Sequence, residues 1–492
     1  MRDLKQKTIR GGIAKALSQA ANFSLRLGSL MILARLLAPK DFGLVGMVTA
    51  VIGVFNVFRD FGLSAASVQR SSVTEEQTST LFWINLLVGS ILGAGALALA
   101  PLVVRFYHEP RLLGITAMLS AGFLFNSAGV QHSAFLERQM RFTTLSVIDL
   151  VSLSVSTVVG IVMALHGFGY WSLVVSTLVS PLIYTVGVWI ASGWIPGWPR
   201  TRVGILSMLR FGGTVTMNGL VMYLASNLDK VLLGRFLGVD AVGIYGRAYQ
   251  LVNIPTDNLN SSAGGVAFAA LSRLQDEPAR LKRYFLKGYS LVLSLTIPIT
   301  CACALFAGDL IGVLLGPKWK DAVVVFRLLA PVTLVFAMLN PLGWFLSALG
   351  LVSRSLKIAL ALAPAMIVGY ALGLHYGLTG VAVAYSIVMC LCVVPVMAWV
   401  VKGTAISLGD ILSAASKPLL SGGAAAAIVF VLQLAYGPWM SQRPRLLTGV
   451  TILVVTYAGI LLYVMKQKAF YIEIFRMLLN RTANSERVAA SV

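Results

Sequence analysis

The sequence predicts an all-α polytopic membrane protein: about 14 transmembrane helices, two parallel six-helix lobes around a central cleft, and two extra C-terminal helices. Three observations predict it. Of the 492 residues, 58% are hydrophobic and only 12% charged, whereas a soluble domain carries about 25% charged residues. Mean hydropathy is +0.84 over the whole chain, so apolar segments run from end to end. Finally, the chain aligns with itself at an offset of about half its helical part.

Spanning a bilayer takes roughly 20 apolar residues in a helix. Residues 13–37, 43–63, 81–104, 112–132, 145–165, 170–191, 211–236, 241–268, 288–314, 323–349, 356–374, 378–400, 418–435 and 446–465 meet that length. Runs such as Ile84 to Val104 and Ala359 to Leu374 are apolar on every side, unlike the alternating strands of a membrane barrel. The basic start of the chain is not a cleavable signal, because the apolar run behind it is long and contains Arg26 and Arg35. The first span is expected to be retained.

A net charge of +21 follows from topology rather than from nucleic-acid binding, which is not expected. Basic residues gather on alternate connections: Arg2, Lys5, Lys7, Arg10 and Lys15, then Arg200, Arg202 and Arg210, then Arg273, Arg280, Lys282, Arg283 and Lys287, and finally Lys466, Lys468, Arg476, Arg481 and Arg487. Cytoplasmic loops retain Lys and Arg, so both termini are expected in the cytoplasm, with residues near 38–42, 105–111, 237–240 and 315–321 outside. Arg443 and Arg445 fall on the outer side and make the last hairpin the exception. Anionic inner-leaflet lipids are natural partners for the basic side.

Sliding the chain by 200 positions places Leu33, Arg35, Leu37, Gly43 and Gly46 on Leu233, Arg235, Leu237, Gly243 and Gly246, and Arg10 and Gly12 on Arg210 and Gly212. Spans one to six thus repeat as seven to twelve, in the same orientation because an even number of spans separates the copies. The expected division is residues 1–200, 201–400 and a terminal pair of spans with a tail over 401–492. Paired lobes suit a transporter.

Catalytic and metal motifs are missing. No Gly-Lys dipeptide occurs, so there is no phosphate-cradling ATPase loop. His108-Glu109 resembles the start of a zinc motif, but Leu112 stands where the second histidine belongs. No cofactor is expected, and an ATP-independent transporter would draw on a proton or sodium gradient. Cys301, Cys303, Cys390 and Cys392 read as small, buried packing thiols, and His108, His132, His166 and His375 as solvated imidazoles at span ends.

The polar residues inside the spans are the site candidates, since a charge at mid-membrane costs about 2.5–3.5 kcal/mol on insertion scales. They are Asn22 and Arg26 in span one; Asn56, Arg59 and Asp60 in span two; Asn218, Asp229 and Lys230 in span seven; and Asn253, Asp257 and Asn260 in span eight. Asn253, Asp257 and Asn260 fall at i, i+4 and i+7, on one helix face. Structural roles compete with this: Asp229 neutralising Lys230, Arg59 pairing with Asp60, Arg35 and Arg235 capping helix ends. Asp149 and Arg327 read as structural.

The segment Ile32-Leu-Ala-Arg-Leu-Leu-Ala-Pro-Lys-Asp-Phe-Gly-Leu44, with Asp60-Phe-Gly-Leu63 and Gln69-Arg70, resembles the opening of polysaccharide transport proteins of the multidrug, oligosaccharidyl-lipid and polysaccharide exporter superfamily. Leu232-Leu-Gly-Arg-Phe-Leu-Gly238 with Gly243-Ile-Tyr245 is similar to the second-lobe copy, and Phe268 to Asp276 with Leu281 and Phe285 to the loop that follows. The likeness covers most of residues 5–400 and is greatest to the Wzx type associated with colanic acid and related exopolysaccharides. It implies a flippase, not an enzyme, carrying an undecaprenyl-diphosphate-linked oligosaccharide across the bacterial inner membrane for exopolysaccharide or lipopolysaccharide biosynthesis, alongside polysaccharide polymerase and export proteins. A diphosphate needs cations, for which Arg26, Lys230 and Arg59 are suited, and sugar hydroxyls need amides or carboxylates, for which Asn22, Asn218, Asn253, Asp257 and Asn260 are suited. Two alternatives stay open: a cation-coupled multidrug exporter of the same superfamily, and a membrane glycosyltransferase or polymerase.

Overall fold

The computed structural model describes residues 2–58, 74–199, 220, 223–224, 227–469 and 471–473, with side chains from Gln19 onward except those of 258, 259, 261–263, 266, 352, 436 and 438. Every regular element among the described residues is helical. In chain order these are α1 (Arg2–Leu36), α2 (Pro39–Phe58), α3 (Glu75–Tyr107), α4 (Leu112–Arg138), α5 (Phe142–Leu165), α6 (Trp171–Ser192), α7 (227–237), α8 (Val239–Ser272), α9 (Pro278–Leu305), the short α10 (Ala307–Leu314), α11 (Ala322–Ala348), α12 (Val352–Leu374), α13 (Gly377–Val401), α14 (Leu408–Tyr436) and α15 (Gln442–Gly459). Eleven of the described helices are long and apolar enough to cross a membrane. The first and eighth expected spans correspond to α1 and α8, which fall outside that apolar set. The expected seventh span, 211–236, lies partly outside the described residues and is helical over 227–237.

Several helices outrun the apolar segment that predicts them, because their ends are capped in polar surroundings. Helix α3 begins at Glu75, where the Thr74 hydroxyl accepts from Gln77 N and the Gln77 side chain accepts from Thr74 N. This reciprocal box satisfies two of the four free N–H groups of a helix start. Ser407 and Asp410 do the same for α14. Helix α6 ends at Gly193 in the left-handed conformation (φ +61), which glycine adopts without strain.

Contacts divide the chain into two compact units. In the first (residues 1–249, 314–325 and 356–388), α3 packs on α4, α4 and α5 on α6, and α1 on α5. Lipid offers no hydrophobic incentive for helices to associate, so close approach and interhelical hydrogen bonds do the work. Thr185 and Trp189 of α6 donate to the carbonyls of Phe125 and Ala128 on α4, at 2.7 and 2.8 Å.

The sequence repeat reappears here as a reciprocal contact. A Cβ added to Gly43 would land on the Val239 carbonyl, and one added to Gly243 would land on the Pro39 carbonyl. Positions 39 and 43 are the repeat equivalents of 239 and 243, so the starts of α2 and α8 meet as an isologous pair, the contact a two-fold relation produces. Around this pair the ends of α1 and α2 are locked. Trp319, fully buried, donates from Nε1 to the Ala34 carbonyl at 2.8 Å, Lys318 Nζ donates to the Leu36 carbonyl at 3.1 Å, and Phe42 meets the Trp319 ring edge-on at 5.4 Å. Ala34 and Leu36 belong to the last turn of α1, whose carbonyls have no partner within the helix.

In the second unit (residues 250–313, 326–355 and 389–492), α9 packs on α14, and both contact α15. The final hairpin is pinned by Lys282 to Asp410 at 2.6 Å, and by Arg445, whose guanidinium grips Asp309 of α10 with both Nε and Nη2. Arg445, the residue that makes the hairpin exceptional by charge bias, thus has a carboxylate waiting for it. Two sequence expectations need correction. His132 is not solvated: it is fully buried, stacked on Trp189 at 4.2 Å, because α6 and the segment after it close over the end of α4. Of the four cysteines only Cys303 is buried, while Cys301 and Cys392 are half-buried and Cys390 lies exposed on α13.

Candidate functional site

The polar groups of α1 divide into one held and one open. Asn22 Nδ2 donates to Asp149 Oδ2 of α5 at 3.1 Å, so an amide read as a cavity group is engaged with a carboxylate read as structural. Arg26, one turn further along, is exposed, and among the described residues no ion pair or hydrogen bond takes up its charge. Asn56 on α2 is likewise exposed. Arg59, Asp60 and Asn218 lie outside the described residues.

On α7, Asp229 is buried at 1% exposure, with Oδ1 accepting the backbone N–H of Lys230 at 2.7 Å. Lys230 Nζ turns away to donate to Asn227 Oδ1 at 2.9 Å and sits 5.8 Å from the Tyr249 ring centre. The Tyr245 side chain lies against the Asp229 carboxylate. From there a chain of rings runs through Tyr249, Tyr385 and Tyr370, with centroid separations of 6.0, 6.0 and 5.7 Å. The tyrosines come from α8, α12 and α13, so three helices besides α7 enclose the acid. A buried carboxylate ringed by hydroxyl-bearing aromatics is a group whose charge must be met by a proton, a cation or a neighbouring donor.

Sequence inspection named Asp229 and Lys230 but missed this setting. Tyr245 and Tyr249 at i and i+4 were the available signal; Tyr370 and Tyr385 are over a hundred residues away and gave none. Tyr223 was also missed. Its hydroxyl donates to the Thr49 and Ala50 carbonyls at 2.9 and 3.2 Å and ties the α7 region to α2.

The stripe on α8 belongs to the second unit. Asn253 Oδ1 is buried without a donor among the described residues, Asp257 is exposed, and Asn260 Oδ1 accepts from Trp344 Nε1 on α11 at 2.6 Å. The i, i+4, i+7 spacing does set the three on one helix face. Among the described residues no cluster of three or more His, Cys, Asp or Glu side chains is arranged to hold a metal ion.

Solved structures share this fold. The lipid II flippase MurJ in an inward closed conformation matches with a TM-score of 0.74 at 14% identity, over 96% of this chain and 100% of that one. An inward-facing multidrug resistance transporter of the MATE family matches at 0.62 and 14% identity, over 82% and 99%. The likeness shows the fold, that of a multi-pass helical membrane protein. The chain belongs to the polysaccharide biosynthesis protein family, whose model matches residues 32–324, and this bears out the resemblance carried by 32–44 and 232–245. Its relatives include the lipopolysaccharide biosynthesis protein WzxC of Escherichia coli (strain K12), 25% identical over 395 residues (78% of this chain, 79% of that one). It is also 30% identical over 304 residues to the teichuronic acid biosynthesis protein TuaB of Bacillus subtilis (strain 168), covering 59% and 61%. The succinoglycan biosynthesis transport protein ExoT of Rhizobium meliloti (strain 1021) is 25% identical over 325 residues, 66% of each chain.

Proposed function

We propose that this protein is a flippase that moves an undecaprenyl-diphosphate-linked oligosaccharide from the cytoplasmic to the outer leaflet of the bacterial inner membrane by alternating access, in the synthesis of an extracellular or surface polysaccharide. The observation that carries this is Arg26, a guanidinium exposed on α1, the helix at the first expected span of a polysaccharide-biosynthesis family member, one turn from the Asn22–Asp149 pair. A diphosphate headgroup supplies the anion that offsets the cost of that charge. Family membership and the names of the relatives support a lipid-linked glycan over a drug. No covalent bond of the substrate changes, and polymerase and export proteins take the product onward.

Asp229 is the proposed coupling group. Its enclosure by Tyr245, Tyr249, Tyr370 and Tyr385 suits exchange of a proton or sodium ion as the transporter cycles. The same acid-and-aromatic setting is what a cation-coupled drug exporter requires, and the test therefore includes that outcome. Purified protein in vesicles is loaded on one side with the cell's lipid-linked oligosaccharide, and arrival on the other side is followed with and without an imposed proton or sodium gradient. Gradient-dependent arrival, abolished in Asp229→Asn, is expected. Transport of organic cations without transport of the glycolipid replaces the reading, and incorporation of labelled sugar would make the protein a polymerase. For orientation, cysteines introduced at Lys40 and Lys318 in a cysteine-free background should react with an impermeant reagent in intact cells. Labelling at Arg280 instead inverts the topology.

A further inference from the structure

Away from the charged residues of α1 and α7, the first unit contains a cavity of about 320 Å³ lined by Glu75, Thr78, Gln131, Ala134, Phe135, Arg138 and Trp194. That volume sits at the low end of the roughly 300–1,000 Å³ of small-molecule sites. Its construction follows from periodicity. Gln131, Ala134, Phe135 and Arg138 are the i, i+3, i+4, i+7 stripe of the last two turns of α4, and Glu75 and Thr78 are one face of the first turn of α3. Trp194, nine-tenths buried, closes the floor.

The floor is fixed rather than loose. The segment 193–199 is strapped down by Gly197, whose N–H donates to Ser79 Oγ at 3.0 Å and whose carbonyl accepts from Trp83 Nε1 at 2.9 Å. Trp198 stacks on Trp83 at 6.0 Å with the planes 7° apart. Trp194 itself is wedged among Phe82, His132 and Phe135, at centroid distances of 6.3, 4.9 and 6.1 Å, and its carbonyl lies 3.3 Å from His132 Nε2. A preformed pocket of this kind binds without paying to order its walls.

The chemistry of the lining is mixed and balanced. One carboxylate and one guanidinium cancel in charge, a buried carboxamide adds a polar group of both donor and acceptor type, and the Thr78 hydroxyl, which donates to the Thr74 carbonyl at 3.1 Å, can still accept, over an aromatic surface. An anion would want an excess of cations, and an acyl chain would want no buried amide. A sugar presents a ring of hydroxyls that both donate and accept, and two apolar faces. The polar lining also continues inward: Asn85, two turns beyond Thr78 on α3, and Ser127, one turn beyond Gln131 on α4, are fully buried, and neither Asn85 amide atom nor Ser127 Oγ has a hydrogen-bond partner among the described residues. Buried polar groups are ordinarily satisfied, so such a column marks a place for polar guests.

We infer that this cavity is a saccharide-binding subsite, at the end of the first lobe where α3 begins and α4 and α6 finish, which holds a sugar residue of the glycolipid before translocation. The inference rests on the flippase reading and on that end being cytoplasmic. It assigns Glu75, Gln131 and Arg138 to hydrogen bonding with the sugar and Trp194 with Phe135 to contact with its apolar face. Sugar discrimination then occurs apart from Arg26, the proposed partner of the diphosphate common to all such carriers.

Saturation-transfer NMR on the full-length protein in detergent tests it, with the methyl glycosides of glucose, galactose, mannose, fucose, N-acetylglucosamine and glucuronic acid as probes and methyl phosphate as competitor. At least one glycoside should bind saturably, with its affinity reduced fivefold or more in Glu75→Gln and in Gln131→Leu, and methyl phosphate should not displace it. Thr78→Val, at a half-exposed position, serves should Gln131→Leu fail to fold. The same variants go into the vesicle assay. If the unaltered protein moves no glycolipid, the flippase reading falls; if it does and the folded variants move the same glycolipid at the same rate, the subsite alone falls. No saturable glycoside, unchanged binding in the variants, or displacement by methyl phosphate each overturns the inference.

Discussion

Two arginines, one at the start of α15 and one on α1, show two ways of placing a charge in this protein. At the start of α15, Arg445 grips Asp309 of α10 through two nitrogens, and the carboxylate is almost fully covered. In the second half of α1, Arg26 is exposed, and its turn-mate Asn22 is committed to Asp149. A guanidinium in or beside a membrane needs a counter-charge or a wet surface. Where a partner is built in, as for Arg445, the charge stabilises the fold; where none is found among the described residues, as for Arg26, the charge is open to the proposed anionic ligand. The difference marks Arg445 as a structural arginine and supports the transport role proposed for Arg26, a distinction that the residue type alone does not give.

The largest effect that can break this comparison is at the pair. Asp309→Ala leaves Arg445 without its counter-charge, and removing one member of a buried pair costs about 3–5 kcal/mol; with Arg445 about a third exposed, the lower end applies. Thermal unfolding in detergent should start markedly lower, and membrane abundance should fall. Exchanging the two residues, Asp309→Arg with Arg445→Asp, should recover part of the loss. Full stability of Asp309→Ala would mean that the pair is ornamental and the contrast with Arg26 empty.

Arg26→Ala should do the reverse, leaving thermal stability and abundance unchanged while cutting glycolipid arrival tenfold or more. Arg26→Lys keeps the charge without the planar fork and should retain an intermediate rate. Reduced abundance with a normal rate per molecule would return Arg26 to a structural role.

A third comparison point is Trp319, whose indole N–H satisfies the carbonyl of Ala34. Trp319→Phe keeps the ring against Phe42 but leaves that acceptor unpaired, at a cost of about 1–3 kcal/mol, visible as a lower unfolding temperature than for an exposed control such as Trp198→Phe. The smallest effect is expected at Glu109, where the hydrogen bond from Arg111 holds the carboxyl below its ordinary value near 4.5. Its folded-state pKa is depressed, so its contribution is present above that ordinary value and lost as pH falls through the lowered one. Being at the surface it is worth at most about 1 kcal/mol, and Glu109→Gln should flatten the acid limb of a stability-against-pH profile only slightly.

The amino-acid sequence by itself determined that the chain is a helical membrane protein, where most helices run, and that its first part recurs 200 residues on, because these depend on hydrophobic length and local periodicity. It also picked out Asp229, Lys230 and the Asn253, Asp257, Asn260 stripe, since a polar residue in an apolar run is conspicuous without a fold. Tertiary structure decided everything that requires two distant segments to meet. Pairing of Arg445 with Asp309, the tyrosines that close on Asp229, the burial of His132 beneath Trp189 and Trp194, and the Gly43 and Gly243 contact all depend on which helices become neighbours. A membrane helix shows its length to the solvent that surrounds it, but the choice of neighbours rests on shape and a few interhelical hydrogen bonds, and those are written in residues far apart in the chain.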